Sequence, residues 1–146
     1  MKVIFLDFDG VLNCRKYVLD NPNAGVALDP QKVALLKEIV AATGANIVLT
    51  TSWREHWQCD SIGVHIEGIF QAFGLEIFDK TPKLSAPRGE EIKAWLAHHP
   101  ETEQFVVLDD MLLGGDFLHG HCIKTSYYAD GLQETDVTKA IAILNG

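Results

Sequence analysis

Val3-Ile4-Phe5-Leu6-Asp7-Phe8-Asp9-Gly10-Val11-Leu12-Asn13 is the stretch on which the fold turns. Four apolar residues rich in β-branched and aromatic side chains make a strand of buried type. Two carboxylates, Asp7 and Asp9, close it, and Gly10 follows at once. Residues i and i+2 of an extended chain point to the same side, so the strand end throws both acids in one direction. Burying unpaired charge is costly. A hard divalent cation such as Mg²⁺ resolves the cost, because it takes carboxylate oxygens as ligands. Gly10 lets the backbone leave the strand sharply.

Outward from this strand, apolar runs of strand length alternate with segments of helical period, the pattern of an α/β fold with a parallel sheet. The first strand is Val3–Asp7, followed by a loop rich in Asn, Pro, Gly and Asp around Leu19–Asp29. Asp29-Pro30 reads as N-cap and first residue of a helix that runs to Thr43 and stops at Gly44. Its apolar face carries Val33, Leu36, Ile39 and Val40. The second strand is Asn46–Thr50, and Trp53–Gln58 suits a short helix. Ile66–Phe73 reads as a helical turn or irregular segment, and Leu75–Phe78 as a short third strand. Lys80–Pro87 is a loop, Arg88–His98 a helix, Gln104–Leu108 the fourth strand and Cys122–Lys124 a fifth. The last helix spans Asp136–Leu144. In open α/β sheets, sites collect at the carboxyl ends of the strands. Here those ends carry Asp7-Phe8-Asp9, Thr50-Thr51-Ser52 and Asp109-Asp110.

A chain of 146 residues corresponds to one domain, residues 1–146, and buries about 68–70% of its unfolded surface without staples. Its formal net charge of −8 opposes a broad grip on a nucleic-acid backbone, which needs many Lys and Arg contacts. A local contact with a polynucleotide end remains compatible with it. Cys14, Cys59 and Cys122 are odd in number and lack metal-site spacing, so reduced thiols and a cytoplasmic location are expected. The apolar run before Asp7 is too short for a signal-peptide core, and no run reaches membrane-spanning length.

The string from Val3 to Asn13 resembles motif I of the haloacid dehalogenase (HAD) superfamily of phosphohydrolases, a hydrophobic run followed by D-x-D-G-[VT]-[LI]. Ile47-Val48-Leu49-Thr50-Thr51-Ser52-Trp53-Arg54 resembles motif II, whose hydroxyl binds a phosphoryl oxygen. Thr51 is the first choice for that hydroxyl and Thr50 the second, with Ser52 beside them and Arg54 a further phosphate contact. Motif III supplies a cation. Lys80, Lys83 and Arg88 are in reach; Arg88, at a helix start and with a fork that binds phosphate bidentately, is favoured over Lys83. Phe105-Val106-Val107-Leu108-Asp109-Asp110 resembles the paired-acid form of motif IV. The four motifs stand in the superfamily's order between Lys2 and Lys124. The Thr-Ser-Trp-Arg string also looks like the branch related to HAD domains of RNA-repair proteins.

The resemblance implies a three-layer Rossmann-like fold with a mainly parallel five-stranded sheet. It implies a Mg²⁺-dependent phosphomonoester hydrolase in which Asp7 attacks phosphorus, forming an aspartyl-phosphate. Asp9 then acts as general acid and base. The metal would be held by Asp7, Asp9, Asp109 and Asp110. Thr51 and Arg88 would bind phosphoryl oxygens. The segments Asn13–Asp29 and Trp53–Pro87 are too short for a full cap domain. An open site is therefore expected, suited to a large phosphorylated substrate or to closure by a partner. Two alternatives share these motifs: a phosphate- or metal-binding module without turnover, and a polynucleotide-end phosphatase working with a partner. The order of motifs disfavours a receiver domain, and Asp9 disfavours the dehalogenase branch.

Overall fold

The computed structural model describes residues Met1–Gly146. Five strands form one sheet: β1 (Lys2–Leu6), β2 (Asn46–Leu49), β3 (Ile77–Lys80), β4 (Gln104–Asp109) and β5 (Cys122–Lys124). Their order is β3-β2-β1-β4-β5, and every pair is parallel. The five α-helices are α1 (Arg15–Asp20), α2 (Pro30–Thr43), α3 (Ser61–Ala72), α4 (Arg88–Ala97) and α5 (Glu134–Asn145). This is the Rossmann-like α/β arrangement, all parallel rather than mainly so.

The two faces of β1 explain the layers. Side chains alternate across a strand. Ile4 and Leu6 join a core of 25 buried residues, with Val33, Leu36 and Ile39 of α2, Ile66 and Phe70 of α3, and Val137, Ala140 and Leu144 of α5. Val3 and Phe5 point the other way, into a core of seven with Ile92 and Trp95 of α4. Phe5 meets Trp95 edge to face, with ring centroids 5.4 Å apart. A strand covered on both faces must be apolar throughout, which is why its only acids stand at its end.

α2 is bounded as its sequence dictates: the Asp29 carboxylate accepts the Gln31 N–H at 2.9 Å, Pro30 opens the helix, and Gly44 ends it at φ 70°. Other boundaries moved. α1 falls partly within the expected loop. It buries no residue and has no side-chain cap, so it leaves no periodic signal. α3 begins at Ser61 rather than Ile66, because the Asp60 carboxylate caps it through the Gly63 N–H. Gly63 and Gly68 weaken the helical signal there. β3 lies two residues later than expected. A bulge between Ile47 and Val48 sets its register, so Ile47 pairs with Ile77 and Val48 with Asp79. Asp79 is tolerated there because its carboxylate accepts the Trp95 indole N–H at 2.8 Å. α5 starts at Glu134, where Gln133 and Asp136 form a reciprocal capping box. No helix is long and apolar enough to cross a membrane.

Candidate active site

The strands deliver their ends to one edge in stagger. The Asp7 N–H donates to the Leu108 carbonyl, Thr50 N–H to Leu6, Thr81 N–H to Leu49, and Thr125 N–H to Asp109. Asp7, just past β1, is 6% exposed. One of its oxygens accepts the Phe8 N–H at 2.9 Å, and the other lies 3.1 Å from the Arg88 guanidinium. The same Arg88 nitrogen donates to Asp109 at 2.7 Å. The second Asp109 oxygen accepts the Met111 N–H at 2.9 Å. Carboxylate oxygens of Asp7, Asp109 and Asp110 all lie within 4.8 Å of one another.

Three acids against one guanidinium leave excess negative charge. Burial pushes the Asp7 carboxyl up to about 7, Arg88 opposes the rise, and Asp109 adds to it. Burial, with Asp109 next, also raises Asp110. Burial alone would lower the Arg88 guanidinium, but the carboxylates of Asp7 and Asp109 outweigh it and the net shift is upward. A cluster of hard oxygen donors, with one member driven toward neutrality chiefly by burial, fits a divalent cation such as Mg²⁺.

Asp9 stands apart. It is exposed, and its carboxylate is not in the cluster of three. Asn13 donates to one of its oxygens at 3.0 Å and the Trp53 indole N–H to the other at 3.2 Å. Asn13 is itself buried; its side chain also donates to the Ala27 carbonyl and accepts the Gly10 N–H at 2.9 Å. Neither Asn13 nor Trp53 was singled out in the sequence for a role. Spacing signalled Asn13 weakly, at the end of the acidic turn; nothing local signalled Trp53, which is 44 residues from Asp9.

Gly10 is the pivot between the two acids. It sits at φ 84°, and a Cβ there would lie 2.6 Å from Asp110 Cβ and Cγ. Gly10→Ala therefore combines a left-handed backbone, disfavoured by roughly 1–2 kcal/mol, with a clash that turns Asp110 out of the cluster. The expected result is at least a tenfold loss of Mg²⁺ affinity by titration calorimetry in a protein that still folds. Unchanged affinity would remove Asp110 from the metal set.

The hydroxyls divide. Thr51 Oγ1 accepts the Trp53 N–H at 3.4 Å as a cap. Thr50 Oγ1 is fully buried and bonds to no other protein group. Ser52 is exposed. Arg54, expected among the phosphate contacts, is instead a buried tie. Its guanidinium donates to the carbonyls of Thr50, Thr51, Thr81 and Pro82 and pairs with buried Glu91 at 3.0 Å. The buried carbonyls of the turns just past β2 and β3 need donors, and Arg54 supplies them. Lys83 is exposed and pairs with Glu55 at 2.7 Å, and Lys80 donates to the carbonyls of Arg54 and Trp57. Of the candidate cations, Arg88 alone pairs with the aspartates. Asp116 is exposed, at the start of a turn of 3₁₀ helix outside the acidic cluster.

No curated protein and no solved structure matches the chain. One family model does, over residues 3–137, and it describes the HAD domain in Swiss Army Knife RNA repair proteins. That span takes in all four motifs and every residue of the acidic cluster, so the chain belongs to this family of HAD domains.

Proposed function

We propose that this protein is a Mg²⁺-dependent phosphomonoester hydrolase working through an aspartyl-phosphate. The observation that carries the reading is the contrast between its two motif I acids. Asp7 is buried in an acidic cluster beside Arg88, and Asp9 is exposed and held by Asn13 and Trp53. Two carboxylates in unlike environments suit two roles.

Asp7 Oδ attacks phosphorus as the bond to the leaving oxygen breaks, and Asp9 gives its proton to that oxygen. Asp9 then takes a proton from water, whose oxygen attacks the phosphorus and frees Asp7 and phosphate. Asp7, Asp109, Asp110 and the main-chain oxygen of Asp9 would hold the cation. Bound there, it supplies positive charge against the phosphoryl oxygens and favours the ionised nucleophile. Thr50 or Thr51 and Arg88 hold the remaining phosphoryl oxygens. The three cysteines are free, which suits a reducing compartment such as the cytoplasm. The family's description favours a polynucleotide end as the substrate. The net charge of −8 limits that contact to the terminal residues or calls for a partner.

Hydrolysis of p-nitrophenyl phosphate, with Mg²⁺ and with chelator, tests the reading. Turnover that depends on Mg²⁺ and is lost in both Asp7→Asn and Asp9→Asn supports it. A folded wild type that binds Mg²⁺ and hydrolyses nothing would leave the non-catalytic module or an enzyme completed by a partner.

A further inference from the structure

Trp53 does more than hold Asp9. It packs partly against the main core and also lines a cavity of about 250 Å³. Gly25, Val26, Ser61, Ile62 and His65 complete the wall. The cavity therefore begins at the indole whose N–H is bonded to Asp9 Oδ2. In the proposed reaction Asp9 protonates the leaving oxygen, so the body of the leaving group must lie on the Asp9 side of phosphorus.

We propose that this cavity is the leaving-group site and that it takes the terminal nucleoside of a phosphate ester, its base against the Trp53 ring. This rests on the phosphatase reading for the side on which the leaving group lies. The volume falls just under the roughly 300–1,000 Å³ of sites for drug-sized ligands, so it suits one nucleoside and not a length of polymer. An aromatic platform stacks any base face, which is how unstacked nucleotides are usually held. The wall is largely apolar, with Val26 and Ile62 beside the indole, which suits the face of a base. A one-nucleoside grip also fits a chain of net charge −8, because it asks for stacking rather than phosphate contacts along a strand.

A larger groove of about 580 Å³, between α4 and the end of β3, is a poorer candidate. No residue lining it bonds to Asp9 as Trp53 does, and its lysines are engaged by Glu55 and by main-chain carbonyls.

The test is binding, separate from turnover. Asp7→Asn with Mg²⁺ is titrated calorimetrically with adenosine 3′-monophosphate, glycerol 2-phosphate and O-phosphotyrosine. Removing the Asp7 charge affects all three phosphates alike, so their ratios report the leaving group. The nucleotide is expected to bind at least about tenfold more tightly than glycerol 2-phosphate, the scale of one base stacked on an aromatic side chain. Adding Ile62→Asp, at a wall residue that is 38% exposed, should abolish that preference. Adding Val64→Asp, on the same helix but 71% exposed and outside the wall, should preserve it. Equal affinities, no binding of the nucleotide, a preference for phosphotyrosine, or a nucleotide preference that survives Ile62→Asp would each overturn the assignment. A nucleotide preference in a protein whose wild type hydrolyses no phosphate ester would keep the site and discard the phosphatase.

Discussion

Asp7→Asn is expected to lower kcat on p-nitrophenyl phosphate by on the order of 10⁴-fold or more, because it removes the attacking atom itself. The same change should stabilise the metal-free protein above pH 7. The folded Asp7 carboxyl titrates near 7 against an ordinary value of 3.8, chiefly because it is buried. Between those values the unfolded chain has released its proton and the folded one retains it. Wild-type stability therefore falls as pH rises from about 4 to about 7 and levels off above that. Asparagine does not titrate, so the variant escapes this loss. The difference at pH 8 is on the order of 2–4 kcal/mol, reduced by whatever Arg88 gains from Asp7 in the wild type. Saturating Mg²⁺ should reverse the order, since the wild type binds the cation more tightly than the variant. Thermal melts at pH 5 and pH 8, with Mg²⁺ and with chelator, read all four conditions. An Asp7→Asn protein no more stable than wild type at pH 8 without metal would contradict the account of the cluster. Surviving turnover would sink the nucleophile assignment.

Arg54→Ala should have the largest effect on stability. Its guanidinium spans the end of β2 and the loop before α4, and its partner Glu91 is 6% exposed. Glu91 also accepts the Leu84 N–H at 2.8 Å, so the pair fastens that loop. Removing one member of a buried pair leaves an uncompensated charge, typically at a cost of about 3–5 kcal/mol. In a chain of this size that is a fall in Tm of roughly 10–15 °C. The double change Arg54→Met with Glu91→Leu should recover much of the loss, since it leaves no charge buried. In that double variant, KM for p-nitrophenyl phosphate should stay within about threefold of wild type. A tenfold rise would return Arg54 to the substrate site that the Thr-Ser-Trp-Arg string suggests.

Arg54 and Arg88 show why the sequence could not rank the cations. Both follow a strand in the chain order, and both stand near hydroxyls or acids. The difference is made by the turns just past β2 and β3, whose carbonyls at Thr50, Thr51 and Thr81 take up Arg54. Arg88, at the first position of α4, is carried instead to Asp7 and Asp109. Thr50 and Thr51 divide for a similar reason. The turn after β2 uses one hydroxyl as a cap and leaves the other buried and unpaired.

The amino-acid sequence by itself determined the parallel α/β class, the order of its principal elements, and the edge at which Asp7, Asp9, Thr50 and Asp109 gather. Those follow from local rules: a strand apolar on both faces must be covered on both, and its polar residues are confined to its ends. Tertiary structure alone decided that Asp110 closes over Gly10, that Asp9 turns away to Asn13 and Trp53, and that Arg54 is a tie. Each of these depends on groups brought together from separate parts of the chain, or on a backbone turn that only Gly10 allows. Periodicity and spacing are local measures and carry no record of them.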